Sequence, residues 1–307
     1  MKTNPIFRLK PFAWASAAIL AAALQLIVVT HLGAQPGAQA APLLSDVQIR
    51  ELVNQVVDED IENGKLARDY MFIEREEERK LGNTGMVKST KSKTYEVMQL
   101  YDSEVRRLIA RNDQPLPGEE ARKEEERIRK LTDKPANEDA SERAKWEARR
   151  ERRREEDRRF VGEVSEAYNF TLVDVTAMDG RQTYVIDGVP RPGYQPQLKE
   201  AKILPKFRFR AWIDKDDREW KKLDIQCIDT VSFGLILARL HKGSRVVIEQ
   251  TRVNGEVWLP QHVAVNVDAR VALLKGFSLD QDVTFRDYRK FRADTKVVPI
   301  GATTGQP

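Results

Sequence analysis

The sequence predicts a mainly β protein of the α+β class: about 10–11 antiparallel strands whose apolar faces must either curl into a curved antiparallel half-barrel or pair face to face, preceded by an amphipathic helix and interrupted after the third strand by a charged helical insert. Three observations predict it. From residue 168 onward, apolar residues repeatedly alternate with polar ones, the period-two pattern of strands with one wet face. Asp179-Gly180 and Asn254-Gly255 lie between such runs, and these dipeptides supply the positive φ angles of two-residue hairpins. Residues 119–160 are mostly Glu, Arg and Lys, good helix formers that cannot be deeply buried without an apolar stripe.

The chain opens with the tripartite form of an export signal over residues 1–40. Lys2, Arg8 and Lys10 precede an apolar run from Phe12 to Val29, and Ala38-Gln39-Ala40 places small residues before Ala41. Basic residues hold the start in the cytoplasm while the apolar run enters the translocon, and small residues suit the peptidase cleft. The run is also near the length of a spanning helix, so cleavage after Ala40 and retention as an anchor are both open. Either outcome places the remainder outside the cytoplasm, in the periplasm or cell envelope.

Residues 45–64 read as a helix. Ser45 and Gln48 form a capping-box pair, while Ile49, Leu52, Val53 and Val56 make one apolar stripe. Asn63-Gly64 is the expected stop. A three-strand meander follows over residues 69–80, 86–100 and 105–110, turned by Gly82-Asn83-Thr84-Gly85 and Asp102-Ser103. Pro135 should divide the insert, residues 118–160, into two helices. Strands are then expected at 171–177, 182–186, 207–213, 220–227, 244–253, 257–259, 263–271 and 283–291, with a proline-rich loop at 190–196. One domain is expected over residues 41–298, with a disordered tail at 299–307.

Chemistry-bearing patterns are sparse. His241 and His262 have no cysteine or carboxylate at ligand spacing, no serine lies in a nucleophile elbow, and no glycine-rich phosphate loop follows a strand. Neither enzyme activity, cofactor nor metal is expected. The net charge of +4 comes from interleaved acids and bases, which gives no argument for nucleic acid. The single cysteine, Cys227, allows no internal disulfide and reads as a small buried residue. Trp212, Trp220 and Trp258 fall on or beside strands, either as core or as lining of an apolar cavity. Phe207, Phe209, Phe233 and Leu259 are their candidate neighbours. The basic cluster between Arg149 and Arg159 reads as a solvated face, or as a contact for anionic lipid or a protein partner.

The helix at 45–64 ahead of the meander, the insert after the third strand, and the hairpin joining Trp212-Ile213-Asp214 to Trp220-Lys221-Lys222-Leu223 carry a resemblance. So do Val253-Asn254-Gly255-Glu256-Val257-Trp258-Leu259-Pro260 and the closing Asp287-Tyr288-Arg289-Lys290-Phe291. Together they resemble the outer-membrane lipoprotein-sorting superfamily, the LolA/LolB-like fold, over residues 46–294. The resemblance implies an incomplete barrel whose concave face binds lipid or lipoprotein acyl chains beneath helices. The insert here is more charged than the family's lid. An alternative reading is a non-enzymatic scaffold or sensor that binds an envelope protein through the charged helices.

Overall fold

Thirteen strands hydrogen-bond into one antiparallel sheet in the computed structural model, which describes residues 44–82, 85–100, 103–132, 140–233, 238–271 and 277–290. The residues read from sequence as an export signal, Pro135, Phe291 and the C-terminal tail lie outside those residues. The chain runs α1 (Asp46–Ala67), β1 (Tyr70–Leu81), β2 (Val87–Leu100), β3 (Ser103–Arg111), β4 (Gln114–Pro115), α2 (Gly118–Thr132) and α3 (Ala140–Ala167). It continues through β5 (Tyr168–Met178), β6 (Arg181–Pro190), a 3-10 helix (Glu200–Lys206), β7 (Phe207–Asp214), β8 (Trp220–Cys227), β9 (Val231–Phe233) and β10 (Ala238–Leu240). It closes with β11 (Arg245–Val253), β12 (Val257–Val271) and β13 (Phe277–Lys290).

The sheet order is β4-β3-β2-β1-β13-β12-β11-β8-β7-β6-β5, with β10 pairing β12 and β9. The sheet is large, curved and unclosed. The strands beyond the expected number are β4, β9 and β10, too short to show a period in sequence. Both dipeptide turns have left-handed backbone: Asp179 and Gly180 at φ 53° and 75°, Asn254 and Gly255 at 52° and 69°. Residues 257–259 and 263–271, expected as two strands, form the single strand β12. Register slips between Glu249–His262 and Gln250–Pro260, so a bulge at Gln261 absorbs the proline that a regular ladder excludes.

The register fixes which residues share a face. Val283, Val263, Ile248, Leu223, Ala211, Ile186 and Leu172 are successive partners from β13 to β5. They form an apolar row along the inner face. Further along that face Phe72, Val97, Val283 and Phe285 bury one another, as the curl of the sheet allows. The opposite, outer face is charged. Arg210 Nε lies 2.6 Å from Asp187, Arg245 Nη2 2.6 Å from Asp224, and Lys222 Nζ 2.6 Å from Glu249. His262 Nε2 is 2.8 Å from Asp282.

Helices lie on both faces. α1 packs Ile49, Leu52 and Val56 into the inner cluster with Tyr168, Phe170, Ile186, Leu204, Ala211 and Ile213. α2 lies on the outer face, where Ile128 packs with Met98 and Val105, and Leu108 N donates to Glu124 Oε1 at 2.8 Å. α3 runs past the expected end of the insert because Phe160, Val164 and Ala167 give its last turns an apolar stripe against the inner cluster. Arg149, Arg152, Arg153, Arg158 and Arg159 are exposed.

At the start of α1, Ser45 Oγ accepts from Gln48 N at 3.3 Å and Gln48 Oε1 accepts from Ser45 N at 2.8 Å. Ser45→Ala is expected to lower stability by about 1 kcal/mol, read as a shift of the urea midpoint at unchanged slope. The helix continues beyond Gly64 to Ala67, which is 2% exposed and packs with Tyr70, Val257 and Leu259. Asn63, read as part of a stop, has another task.

Candidate functional site: the inner face and its helical cover

The candidate site is the inner apolar face beneath α1. Three buried aliphatic side chains from α1 give a gross transfer gain of roughly 5–9 kcal/mol before ordering costs. Beneath them lie Tyr168, Phe170 and Phe209, with the Phe209 ring 5.0 Å from Tyr168 and 6.2 Å from Phe170. Tyr168 Oη donates to Leu204 O at 2.7 Å, which satisfies its polar end inside the cluster. The side chains of α1 occupy the face that the sequence reading left for a ligand. A neighbouring cleft, lined by Ala67, Arg68, Tyr70, Phe72, Val97, Met98, Gln99 and Glu104, holds about 10 Å³, the threshold for one water.

The seven residues named from sequence do not form one wall. Trp220 joins the inner cluster, and Phe209 packs against it. Phe207 is buried separately with Cys227 and Val231; Leu259 packs with Ala67, Tyr70 and Val257. Trp258 lies where α1 ends, its indole donating to Asp217 at 2.9 Å. Phe233 is on β9, but its side chain lies outside the described ones. Trp212 corrects the expectation of an inward ring. It alternates with Ala211 and Ile213, which take the inner positions, so it faces outward with Lys222 Nζ 5.3 Å from its ring.

Polar residues fix the cover, and most escaped the sequence reading. Asn63 Nδ2 donates to Trp258 O and Asn63 Oδ1 accepts from Trp258 N, both at 2.7 Å. Its amide therefore pairs with β12 as a neighbouring strand would. Asn63→Ala leaves a backbone N–H and C=O unpaired and is expected to cost about 2 kcal/mol. The check is chemical denaturation together with faster amide exchange in the last turns of α1. Near the other end, Arg50 donates to Ser165 O and lies 5.8 Å from the Phe170 ring. Asp60 Oδ1 accepts from Trp220 Nε1 at 3.0 Å. The legible signal was that Asp60 and Asn63 continue the spacing of Ile49, Leu52 and Val56, putting polar groups on an otherwise apolar stripe.

Burial pushes Asp60 up to about 7; the Trp220 indole opposes this and the charge of Asp157 adds to it. Glu219, 3% exposed and with no hydrogen bond to either carboxyl oxygen, is pushed up to about 9 by burial and by Asp60, Glu59 and Asp217. A third acid, Glu74, is buried on the inner face between Tyr95 and Phe285. Burial raises it to about 8 against the opposing charge of Arg106, which bonds both Glu74 and Glu76. Cys227 is fully buried, its thiol raised to about 11 by burial. Among the described residues, no group of three or more His, Cys, Asp or Glu is placed to hold a metal ion. No helix among them is long and apolar enough to cross a membrane.

No family model and no curated protein matches the chain. Solved structures do. A domain from Vibrio parahaemolyticus described for outer membrane lipoprotein sorting is 11% identical, with 80% of this chain and 95% of that one covered at a TM-score of 0.30. A DUF1329 family protein from Desulfovibrio piger is 11% identical, covering 80% and 95%, at 0.28. A LolA superfamily protein from Nitrosomonas europaea is 12% identical, covering 81% and 94%, at 0.25.

Proposed function

We propose that this chain is a non-enzymatic binding protein of the bacterial periplasm or envelope. Its inner face takes a hydrophobic ligand, a lipid or the acyl chains of a lipoprotein, when α1 moves aside. The observation that carries this reading is an apolar row running across seven paired strands, five of whose members, Ile248, Leu223, Ala211, Ile186 and Leu172, pack in one cluster with the amphipathic helix α1. An acyl chain gains about 0.8 kcal/mol per buried CH₂, so a chain of ordinary length can replace the three aliphatic side chains of α1. Trp220 and Phe209 line the exchange surface with Tyr168, Phe170 and Ile213. The domain is taken to span residues 41–298 behind the export segment 1–40.

Organic extraction of protein purified without detergent, followed by mass spectrometry, tests the proposal. Lipid in near-equal molar amount to protein is the expected result. A lipid-free extract, together with no binding of a fluorescent fatty acid, would rule it out.

The exposed charged stretch of α3 favours a second reading, an envelope scaffold that captures a protein or an anionic lipid surface through Arg149–Arg159. Replacing residues 140–159 with a short Gly-Ser linker would then abolish capture of the partner. Retained capture would remove this reading.

A further inference from the structure

We propose that Asp60 of α1 and Glu219 just before β8 form a proton-operated latch, which holds α1 on the inner face while both carboxyls are protonated and releases it as they ionise. The latch regulates the site described above, so its part in ligand exchange rests on that reading; the docking of α1 does not.

The geometry is specific. Glu219 directly precedes Trp220, whose indole donates to Asp60 at 3.0 Å. Both carboxyls therefore lie at the seam between helix and sheet. Neither oxygen of Glu219 receives a hydrogen bond from the protein, and a buried carboxylate without donors is costly to charge. The groups that act on Glu219 are all acids: Asp60 and Glu59 from α1, and Asp217 from the β7–β8 turn. Asp157 of α3 acts on Asp60 in the same sense.

The cations at this seam are engaged elsewhere. Arg181 Nη2 and Arg252 Nε lie 2.9 and 2.8 Å from Asp217. Arg158 Nε is 3.4 Å from Asp58, and Arg218 Nη1 donates to Gln55 at 2.5 Å. Lys221, buried beside Glu219, donates to Met178 O and lies 3.5 Å from Asp179.

The sign follows from proton counting. With α1 docked, both acids titrate above their ordinary range; with α1 lifted into water, both return to it. The docked state thus binds two protons that the open state releases. Docking is firmest at acid pH, below the ordinary carboxylate range. It weakens as pH rises through about 7, where Asp60 ionises, and about 9, where Glu219 does. A two-proton linkage multiplies the open population by up to about 100 per pH unit, and a one-proton linkage by up to about 10.

The test uses the full chain, stripped of lipid, between about pH 5 and about pH 9. Hydrogen exchange of residues 46–67, corrected for the intrinsic effect of pH, is read beside indole emission. In the wild type, opening of α1 should grow steeply with pH and the emission should shift to the red. Glu219→Gln and Asp60→Asn, which imitate the protonated forms, should each lower the dependence to about tenfold per unit, and the double variant should flatten it. A wild-type α1 whose opening ignores pH, or a slope unchanged in both variants, would overturn the latch. If Glu219→Gln fails to fold by circular dichroism, Asp60→Asn carries the same comparison. A lipid-free extract together with no fatty-acid binding would defeat the ligand reading and leave this result standing; a flat pH profile with bound lipid would do the reverse.

Discussion

Arg181→Ala is expected to destabilise the protein by about 3–5 kcal/mol, the cost of leaving a buried ion without its partner. Asp214 is fully buried. Arg181 grips it with two bonds, Nε to Oδ2 at 2.6 Å and Nη2 to Oδ1 at 2.7 Å. The backbone N–H groups of Asp216 and Asp217 each donate to Oδ1 at 3.0 Å. Burial acts to raise Asp214, but Arg181 and those N–H groups outweigh it and hold it below the ordinary carboxylate range. Its stabilising contribution is therefore present above the usual aspartate pKa and is lost as pH falls through the lowered one. The variant should lose most at neutral pH and much less in acid. Urea unfolding at the two conditions measures this; a loss under about 1 kcal/mol at neutral pH would mean the pair behaves as a solvated one. The turn that Asp214 organises carries Asp217, Glu219 and Trp220, so the variant should also loosen the end of α1.

Gly188→Val should cost about 3 kcal/mol, the upper end of ordinary overpacking. A Cβ at Gly188 would lie 2.4 Å from Phe209 Cζ and 2.5 Å from Cε1, because the Phe209 ring lies across the glycine on the neighbouring strand. A ring at the end of a free side chain would swing away. This one is held between Tyr168 and Phe170, so the strain reaches the floor beneath α1. Thermal unfolding and near-ultraviolet dichroism would record it. A second substitution, Phe209→Leu, should restore part of the loss, whereas a fully additive pair would refute the contact.

Much of this architecture was legible in the sequence, for local reasons. The Ser45–Gln48 pair marks the first turn of α1, and both dipeptide hairpins fall where their left-handed backbone is needed. Strand β8 has the bounds that alternation gave, while β7 extends one residue further. The misses have causes of another kind. Gly64 fails to stop α1 because Ala67 still finds a buried contact and the Asn63 amide is taken by β12. Trp212 turns outward because parity is set by the small Ala211 facing in, and size alone does not reveal it. The insert divides between the two faces: Ile128 and Leu131, too few to make a wide stripe, suffice to lay α2 on the outer face. Within the candidate site, aromatic content pointed to Trp220 and Phe209 but missed Tyr168 and Phe170, which begin a strand directly after the charged helix. Glu219 left no trace, since a buried acid beside a tryptophan looks like any polar residue before a strand.

In the proposed function, α1 occupies on the inner face the place a hydrophobic chain would take. Hydrogen exchange of residues 46–67, with and without a saturating fatty acid below its micelle concentration, tests it directly. Ligand should speed exchange in α1 at least about tenfold while protection across β5 to β8 holds or rises. Ligand that binds with α1 equally or better protected would contradict this and place the binding surface elsewhere on the molecule.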